Sequence, residues 1–488
     1  MTHPHRPQNG FIVSSSTRDL ATASITAPRR GGARWWGLAI IALAQFMVIM
    51  DASIIGVALP EMQADLGFTP NTLSWVFNAY VIALAGLLLL GGRLSDLFGP
   101  RRMFALGWMV LGAGSLVAGF AGDVPTELIG RVLQGAGSAL IAPAALTMLM
   151  MLFGSNPREL TKAMAFYGAA APAGGTAGVF LGGVITEFAS WPWVFFINVP
   201  IAAVILLVMW KALPGGKVGA RGSVDVFGAL TVTVGLAALV YGIVRSEVVG
   251  WAAAETWIAL GGGALLLVLF LIIQRVRREP LVRLSIFRSP DLGAANLAQV
   301  MLGAAWIPMW FFLNLYLQQV LGFTAFPAGA ALLPMTTLIM VGMILLAPRV
   351  IATFGTKVPI VSGLLILAAG LAWMAFVSPD GDYWVDALLP SLVVAFGQAL
   401  AFIPSLQTAI SAAPPEEGGL ASGIVNTSYQ VGSAVGLAVV SAIASAFGAS
   451  QLGDPVALTE GYSAAFIAAG ALALLGAVLT MILFRGRR

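Results

Sequence analysis

From Trp35 onward the chain alternates long apolar stretches with short polar ones. A bilayer core needs about 20 apolar residues per helix, with a range of roughly 17–25. Fourteen stretches meet or approach that length: 35–60, 73–91, 103–121, 128–153, 163–186, 193–213, 225–245, 256–274, 292–321, 328–348, 358–377, 386–411, 419–447 and 462–484. The pattern predicts fourteen membrane-spanning helices. Internal proline in 128–153 and 386–411 is tolerable where neighbouring helices satisfy the freed backbone groups. Residues 1–34 are different: rich in Ser, Thr, Pro and Arg, without an apolar core of signal-peptide length, they read as a disordered cytosolic tail.

Composition supports the membrane reading. Of 488 residues, 59% are hydrophobic and 9% charged, against about a quarter charged in a soluble domain, so there are too few charges to clothe globular surfaces. The absence of cysteine excludes disulfides, thiolate metal sites and cysteine nucleophiles. Both histidines, His3 and His5, precede the first helix, so histidine chemistry is excluded from the body. No Gly-x-x-x-x-Gly-Lys-Ser/Thr loop is present to support ATP drive.

The formal charge of +4 is a matter of topology. With the N-terminus inside, 23 of the 25 Lys and Arg residues fall on the cytosolic side, and only Arg131 and Arg245 fall elsewhere. The outer loops are acidic, with Glu61, Asp65, Asp123, Glu187, Asp380, Asp382, Asp454 and Glu460. One missed or added helix would scramble this partition, so the sorting supports the count, and it leaves no basic surface for nucleic acid. Both termini are expected in the cytosol.

Two loops repeat each other. Arg93, Phe98, Gly99 and Arg101 recur at an offset of 256 as Arg349, Phe354, Gly355 and Lys357. The same offset carries Trp35, at the start of the first span, to Asp291, at the start of the ninth. The expected class is therefore an all-α polytopic membrane protein of two parallel six-helix halves, 35–213 and 291–485, a known transporter plan. Two inserted helices with a cytosolic linker, 214–290, lie between them.

Four motifs carry candidate chemistry. In the loop Gly92–Arg102, Gly92 and Gly99 permit a tight turn, and Asp96 with Arg93, Arg101 and Arg102 can form a gating charge network. The plainer reading is a basic loop obeying the positive-inside bias. Asp51 lies inside an apolar span, where an aspartate costs roughly 2.5–3.5 kcal/mol near the bilayer centre. It therefore has a partner or a function, or else caps a kinked helix end. Arg131, in Arg131-x-x-Gln134-Gly135-x-Gly137, pairs with Asp51, snorkels to headgroups or pairs with Glu127 one turn away. Gly174, Gly178 and Gly182, four apart, line one helix face for close packing and for sliding. Amide and aromatic side chains within the spans, Gln45, Trp75, Asn78, Tyr80, Gln134, Trp306, Trp310, Asn314, Asn426 and Gln430, would as a set suit a large apolar substrate in a central cavity. Each by itself reads more readily as a helix–helix contact or interface anchor than as a ligand contact.

On these motifs the chain resembles the fourteen-helix drug:proton antiporter branch of the major facilitator superfamily, over roughly residues 35–485. Asp51–Pro60 resembles that branch's first-helix signature, Gly92–Arg102 its loop motif and Arg131–Gly137 the helix-four motif associated with proton transfer. Asn198-Val199-Pro200, after Trp191-Pro192-Trp193, fits as well. Two positions depart from the pattern: Gly178-Val179 stands where the family has Gly-Pro, and Pro192 where a base is common. The tenth span, 328–348, carries no acid of the kind some relatives use for divalent cationic drugs. The resemblance implies alternating access and proton-driven export of lipophilic drugs or antibiotics from a bacterial-type inner membrane. Proton coupling would run through Asp51 and Arg131, with the proton gradient as energy source, no cofactor and no metal. It implies a transporter working as a monomer with a small lipophilic substrate, protons and the bilayer as partners. A lipid or lysolipid transporter, or an uncoupled facilitator, is the alternative on the same fold.

Overall fold

The computed structural model describes residues 31–68, 75–215, 225–277, 280, 282, 284, 289–414, 418–451 and 453–484. Most of the expected tail, residues 1–30, lies outside them. The described chain is helical, without strands. Its helices are α1 (Gly31–Leu66), α2 (Trp75–Phe98), α3 (Pro100–Gly119), α4 (Val124–Phe153), α5 (Pro157–Phe188), α6 (Trp193–Ala212), α7 (Val226–Val249), α8 (Ala254–Val276), α9 (Pro290–Val320), α10 (Pro327–Phe354), α11 (Lys357–Met374), α12 (Tyr383–Ser411), α13 (Gly418–Ala446) and α14 (Pro455–Leu483).

Thirteen are long and apolar enough to cross a membrane, and α7 contributes a shorter apolar segment, Phe227–Ile243, ahead of its polar end at Arg245 and Ser246. Each falls on one of the fourteen predicted stretches. Several run beyond them, because the apolar stretch measures the bilayer core while the helix continues until a cap or turn stops it. Thus α1 starts at Gly31, where the composition suggests tail, and Arg34 pairs with Glu159 at the start of α5 at 2.7 Å. Asp123, Asn156, Asp225 and Asp454 cap α4, α5, α7 and α14 by accepting first-turn N–H groups.

The internal repeat appears in the packing. Helix α1 lies along α5, α2 along α4 and α3 along α4; in the second half α9 lies along α13, α10 along α12 and α11 along α12. The matched loops also share their backbone. Gly99 (φ 96°) and Gly355 (φ 72°), 256 positions apart, take a left-handed conformation that glycine adopts without steric cost and that lets the chain reverse between helices. The halves meet where α2 packs on α13 and α5 on α10. The inserted pair α7–α8 sits outside this seam. Ala229, Val232 and Leu236 of α7 and Phe270 of α8 share an apolar cluster with Leu89 of α2 and with Leu420, Ala421 and Ile424 of α13.

The small-residue face of α5 rests directly on α1. A Cβ at Gly178 would lie 2.8 Å from Met50 O and 2.9 Å from the Ser53 side chain; at Gly182 it would lie 2.7 Å from Ile54 O. At Gly174 it would collide with Phe46 O. These contacts bracket Asp51. Only glycine lets the backbones approach so closely, so α5 sets the position of the helix that carries the buried acid.

Two outcomes follow from this architecture. Compartment reporters fused at Gly215 and at Gln451 are expected to read cytosol and exterior respectively; the same compartment at both would contradict the helix order. Gly178→Leu must push α5 off α1, an overpacking cost of about 1–3 kcal/mol, and is expected to lower the thermal midpoint and yield of detergent-purified protein. Gly183→Ala, which meets nothing within 4 Å, is expected to leave both unchanged.

Candidate functional site

Two buried charges of the first half meet between five helices. Asp51 on α1 is 1% exposed and Arg131 on α4 is 0% exposed. Arg131 Nη1 lies 3.1 Å from Asp51 Oδ2 and also donates to Gln134 Oε1 at 2.7 Å. Gln134 stands three residues along α4 on the same face. Its amide nitrogen donates to Asp51 Oδ1 at 2.9 Å and to Ser115 Oγ on α3 at 2.9 Å. Asn198 on α6 donates to Asp51 Oδ1 at 2.6 Å. Both carboxylate oxygens thus face donors, the partner set of an ionised carboxylate.

The arginine is fixed as firmly as the acid. Its Nε donates to Val76 O on α2 at 2.8 Å, and its guanidinium lies 4.6 Å above the Tyr80 ring. The Tyr80 hydroxyl in turn lies 3.0 Å from Val48 O and from Ser138 Oγ. Close backbone approach seals the group: a Cβ at Gly135 would collide with Tyr80 O. Of the three readings open to Arg131, the geometry places it on Asp51, away from headgroups and without a hydrogen bond to Glu127. A buried charge left alone costs several kcal/mol, whereas a paired and hydrogen-bonded one persists.

The gating-loop residues divide. The Asp96 carboxylate accepts the Gly419 and Leu420 backbone N–H groups, each at 2.9 Å, at the start of α13 in the other half. A carboxylate there meets the positive end of the helix dipole. Gly92 lies against Gly419, where a Cβ would sit 2.5 Å from its carbonyl oxygen. Arg101 turns instead to the end of α6, with Nη1 3.3 Å from Trp210 O and its guanidinium 4.9 Å over the Trp210 ring. Arg93 is buried, Arg102 is exposed, and Gly99 makes the turn. At this end the two halves are closed on each other, with Thr161 of α5 also bonded to Gln407 of α12. At mid-depth Thr176 of α5 meets Thr336 of α10 at 2.6 Å.

The residues grouped by sequence as a cavity lining are not equivalent. Tyr80 and Gln134 belong to the charge cluster and are fully buried. Trp75 faces the inserted helices, its ring 5.4 Å from that of Tyr241 on α7. Asn78 is buried on α2. Gln45, which accepts from Tyr167 at 2.8 Å, is half-buried, as are Trp306, Trp310 and Asn314 on α9 and Asn426 and Gln430 on α13. Val179, in the place of the family's proline, meets α10: a Cβ at Gly329 would lie 3.0 Å from it. Sequence reasoning did not place Asn198 or Ser115 at the acid, although Asn198-Val199-Pro200 was itself noticeable. Their separations from Asp51 are 147 and 64 positions, beyond any local pattern. Among the described residues, no group of three or more His, Cys, Asp or Glu side chains could hold a metal ion.

A family model, Major Facilitator Superfamily, matches residues 41–437. The cephamycin export protein CmcT of Amycolatopsis lactamdurans is 38% identical over 91% of this chain and 92% of its own length. The puromycin resistance protein pur8 of Streptomyces alboniger is 35% identical over 93% and 92%. Among solved structures, the human organic anion transporter MFSD10 (TETRAN) superposes with a TM-score of 0.65 at 17% identity, covering 92% of this chain and 99% of that one. The proton:xylose symporter XylE also gives 0.65, at 14% identity, covering 93% and 96%. Twelve apolar helices in two repeated halves with a helix pair inserted between them, a sealed Asp–Arg pair and a match across most of its length lead to one assignment: the chain is a multi-pass membrane transporter, not an enzyme, and belongs to the major facilitator superfamily.

Proposed function

We propose that this transporter exports lipophilic drugs or antibiotics across a bacterial-type plasma membrane in exchange for protons, by alternating access, with its basic Asp96 end in the cytosol. The carrying observation is the Asp51–Arg131 pair, sealed at membrane depth by Gln134 and Asn198. A charge in this environment is retained for a task, and Asp51 is closed off from direct contact with a substrate. Proton and substrate therefore act on one conformational equilibrium instead of one carboxylate. The names of the relatives, cephamycin export and puromycin resistance, support the substrate class.

The second half supports it too. Helices α9–α14 carry acids and bases only near their ends, at Asp291, Arg349, Lys357, Asp386 and Glu460. The half-buried Trp306, Trp310, Asn314, Asn426 and Gln430 offer rings and amides, a surface for a lipophilic molecule with few hydrogen bonds. The gradient supplies the energy, no cofactor is required, and each chain, holding its own cluster, works as a monomer.

Vesicles loaded with a panel of lipophilic dyes, with and without an imposed pH gradient, test the reading. Accumulation that ignores the gradient would contradict antiport. Asp51→Asn is expected to abolish gradient-driven accumulation while leaving dye binding in place. Arg131→Ala is expected to impair the same step and to destabilise the fold by about 3–5 kcal/mol, since it leaves a buried carboxylate unpaired. Full accumulation by Asp51→Asn at matched protein content would make Asp51 a structural cap.

The closed end gives a separate expectation. Asp96→Asn removes charge-assisted bonds to Gly419 and Leu420, about 1.5–3 kcal/mol, and shifts the population away from this state by roughly tenfold or more. Transport rate should fall more than dye affinity. Turnover equal to wild type at equal membrane abundance would remove the gating role.

A further inference from the structure

Glu127 lies in the first turn of α4, four residues before Arg131 and on the same face. It is 0% exposed, and among the described residues neither carboxyl oxygen has a hydrogen-bond partner. The turn that carries it packs through Val124 and Leu128 into an apolar cluster of Ile54, Ile55, Ala58, Val76, Ala118 and Phe195. An ionised carboxylate without a donor is not stable in such surroundings, so in this conformation Glu127 is the neutral acid. The charges facing it are Arg131 on its own helix and Asp51 on α1. Helices α3 and α6 bring the uncharged Ser115 and Asn198 to the cluster. Two more buried polar atoms there lack partners: Arg131 Nη2 and Asn198 Oδ1. Asp123, at the N-cap one turn further out, is exposed, and the Thr126 N–H bond holds its carboxyl below the usual carboxylate range.

These groups make one neutral set with one proton. Here Asp51 and Arg131 are charged and cancel, and Glu127 is neutral. If Asp51 takes a proton, Arg131 loses its counter-charge while keeping an unused Nη2–H donor one turn from Glu127. We propose that Glu127 is the second proton-carrying residue of the transporter, exchanging a single proton with Asp51 while Arg131 changes carboxylate partner. The O–H bond on Glu127 breaks and one on Asp51 forms. The negative charge moves the other way, so during this exchange the charge of the three residues does not change and Arg131 keeps a carboxylate partner. Glu127 sits at the Asp123 end of α4 and receives the proton from that side. This rests on the reading of Asp51 as a proton carrier.

Infrared spectroscopy of the purified protein in liposomes tests it without any substrate, through the carbonyl stretch of a protonated carboxyl group at neutral pH. Wild type is expected to show the band. Glu127→Gln, of equal size, is expected to lose it, and Glu127→Asp to keep it. The deciding arm is Asp51→Asn: with its counter-charge gone, Arg131 turns to Glu127, which ionises, and the band is expected to disappear there too. Asp51→Ser repeats this arm if Asp51→Asn does not purify as a monodisperse protein. A band that survives Glu127→Gln, or that survives neutralisation of Asp51, overturns the exchange. Neither result alters the dye-accumulation outcome for Asp51→Asn, so failure here is distinguishable from failure of the antiport reading.

Discussion

Two opposite charges 3.1 Å apart, closed off from solvent inside an apolar bundle, constrain everything around them. Neither charge is stable there alone, and neither is held by its partner alone. Asp51 takes further donors from α4 and α6, and Arg131 leans on a carbonyl and a ring of α2. The close contacts that pack α2 against α4, and α5 against α1, keep this geometry. The first half is therefore a unit whose helices cannot separate without exposing a charge to hydrocarbon.

The seam between the halves is of another kind. Beside the packing of α2 on α13 and α5 on α10, its polar bonds are the hydroxyl and amide contacts Thr176–Thr336 and Thr161–Gln407 and the Asp96 bonds to the start of α13. A neutral bond of this type is worth about 0.5–1.5 kcal/mol net. An ion pair held inside one half, beside a seam crossed by hydrogen bonds and packing alone, favours motion of each half as a unit. On the proposed alternating-access cycle, the Asp96 contacts would be a clasp for one state of that motion. A change of one proton in the rigid half is large enough to matter on the scale of the seam.

How much of this could be read from the chain depends on range. The spans were legible because the bilayer imposes a length and the bases sort to one side. The repeat was legible because Gly99 and Gly355 must make the same left-handed turn. Asp51 and Arg131 stood out as charges where charges are costly. What no pattern supplied was which face of one helix meets which face of another. Hence Gln134 and Tyr80 read as cavity residues, although the structure builds them into the charge cluster, and Asn198 read only as part of the Asn198-Val199-Pro200 match, although it donates to Asp51 from 147 positions away. Arg101 likewise read as part of the Asp96 network, yet its guanidinium lies on Trp210 at the end of α6. The partnerless burial of Glu127 is visible only once α1, α3 and α4 are brought together.

The central claim is that the proton on Asp51 and the closure of the Asp96 end are linked. Because the chain contains no cysteine, a pair introduced as Ser155→Cys and Ala352→Cys, on exposed positions of the two halves at that end, can be spin-labelled without background. The distance distribution between the labels, measured across a pH series in liposomes, reads the linkage directly. The account predicts a pH-dependent shift between closed and open populations in the otherwise native protein, and a distribution independent of pH when Asp51→Asn is added. The same pH-dependent shift in both would show that the gate takes its proton elsewhere and would contradict the account.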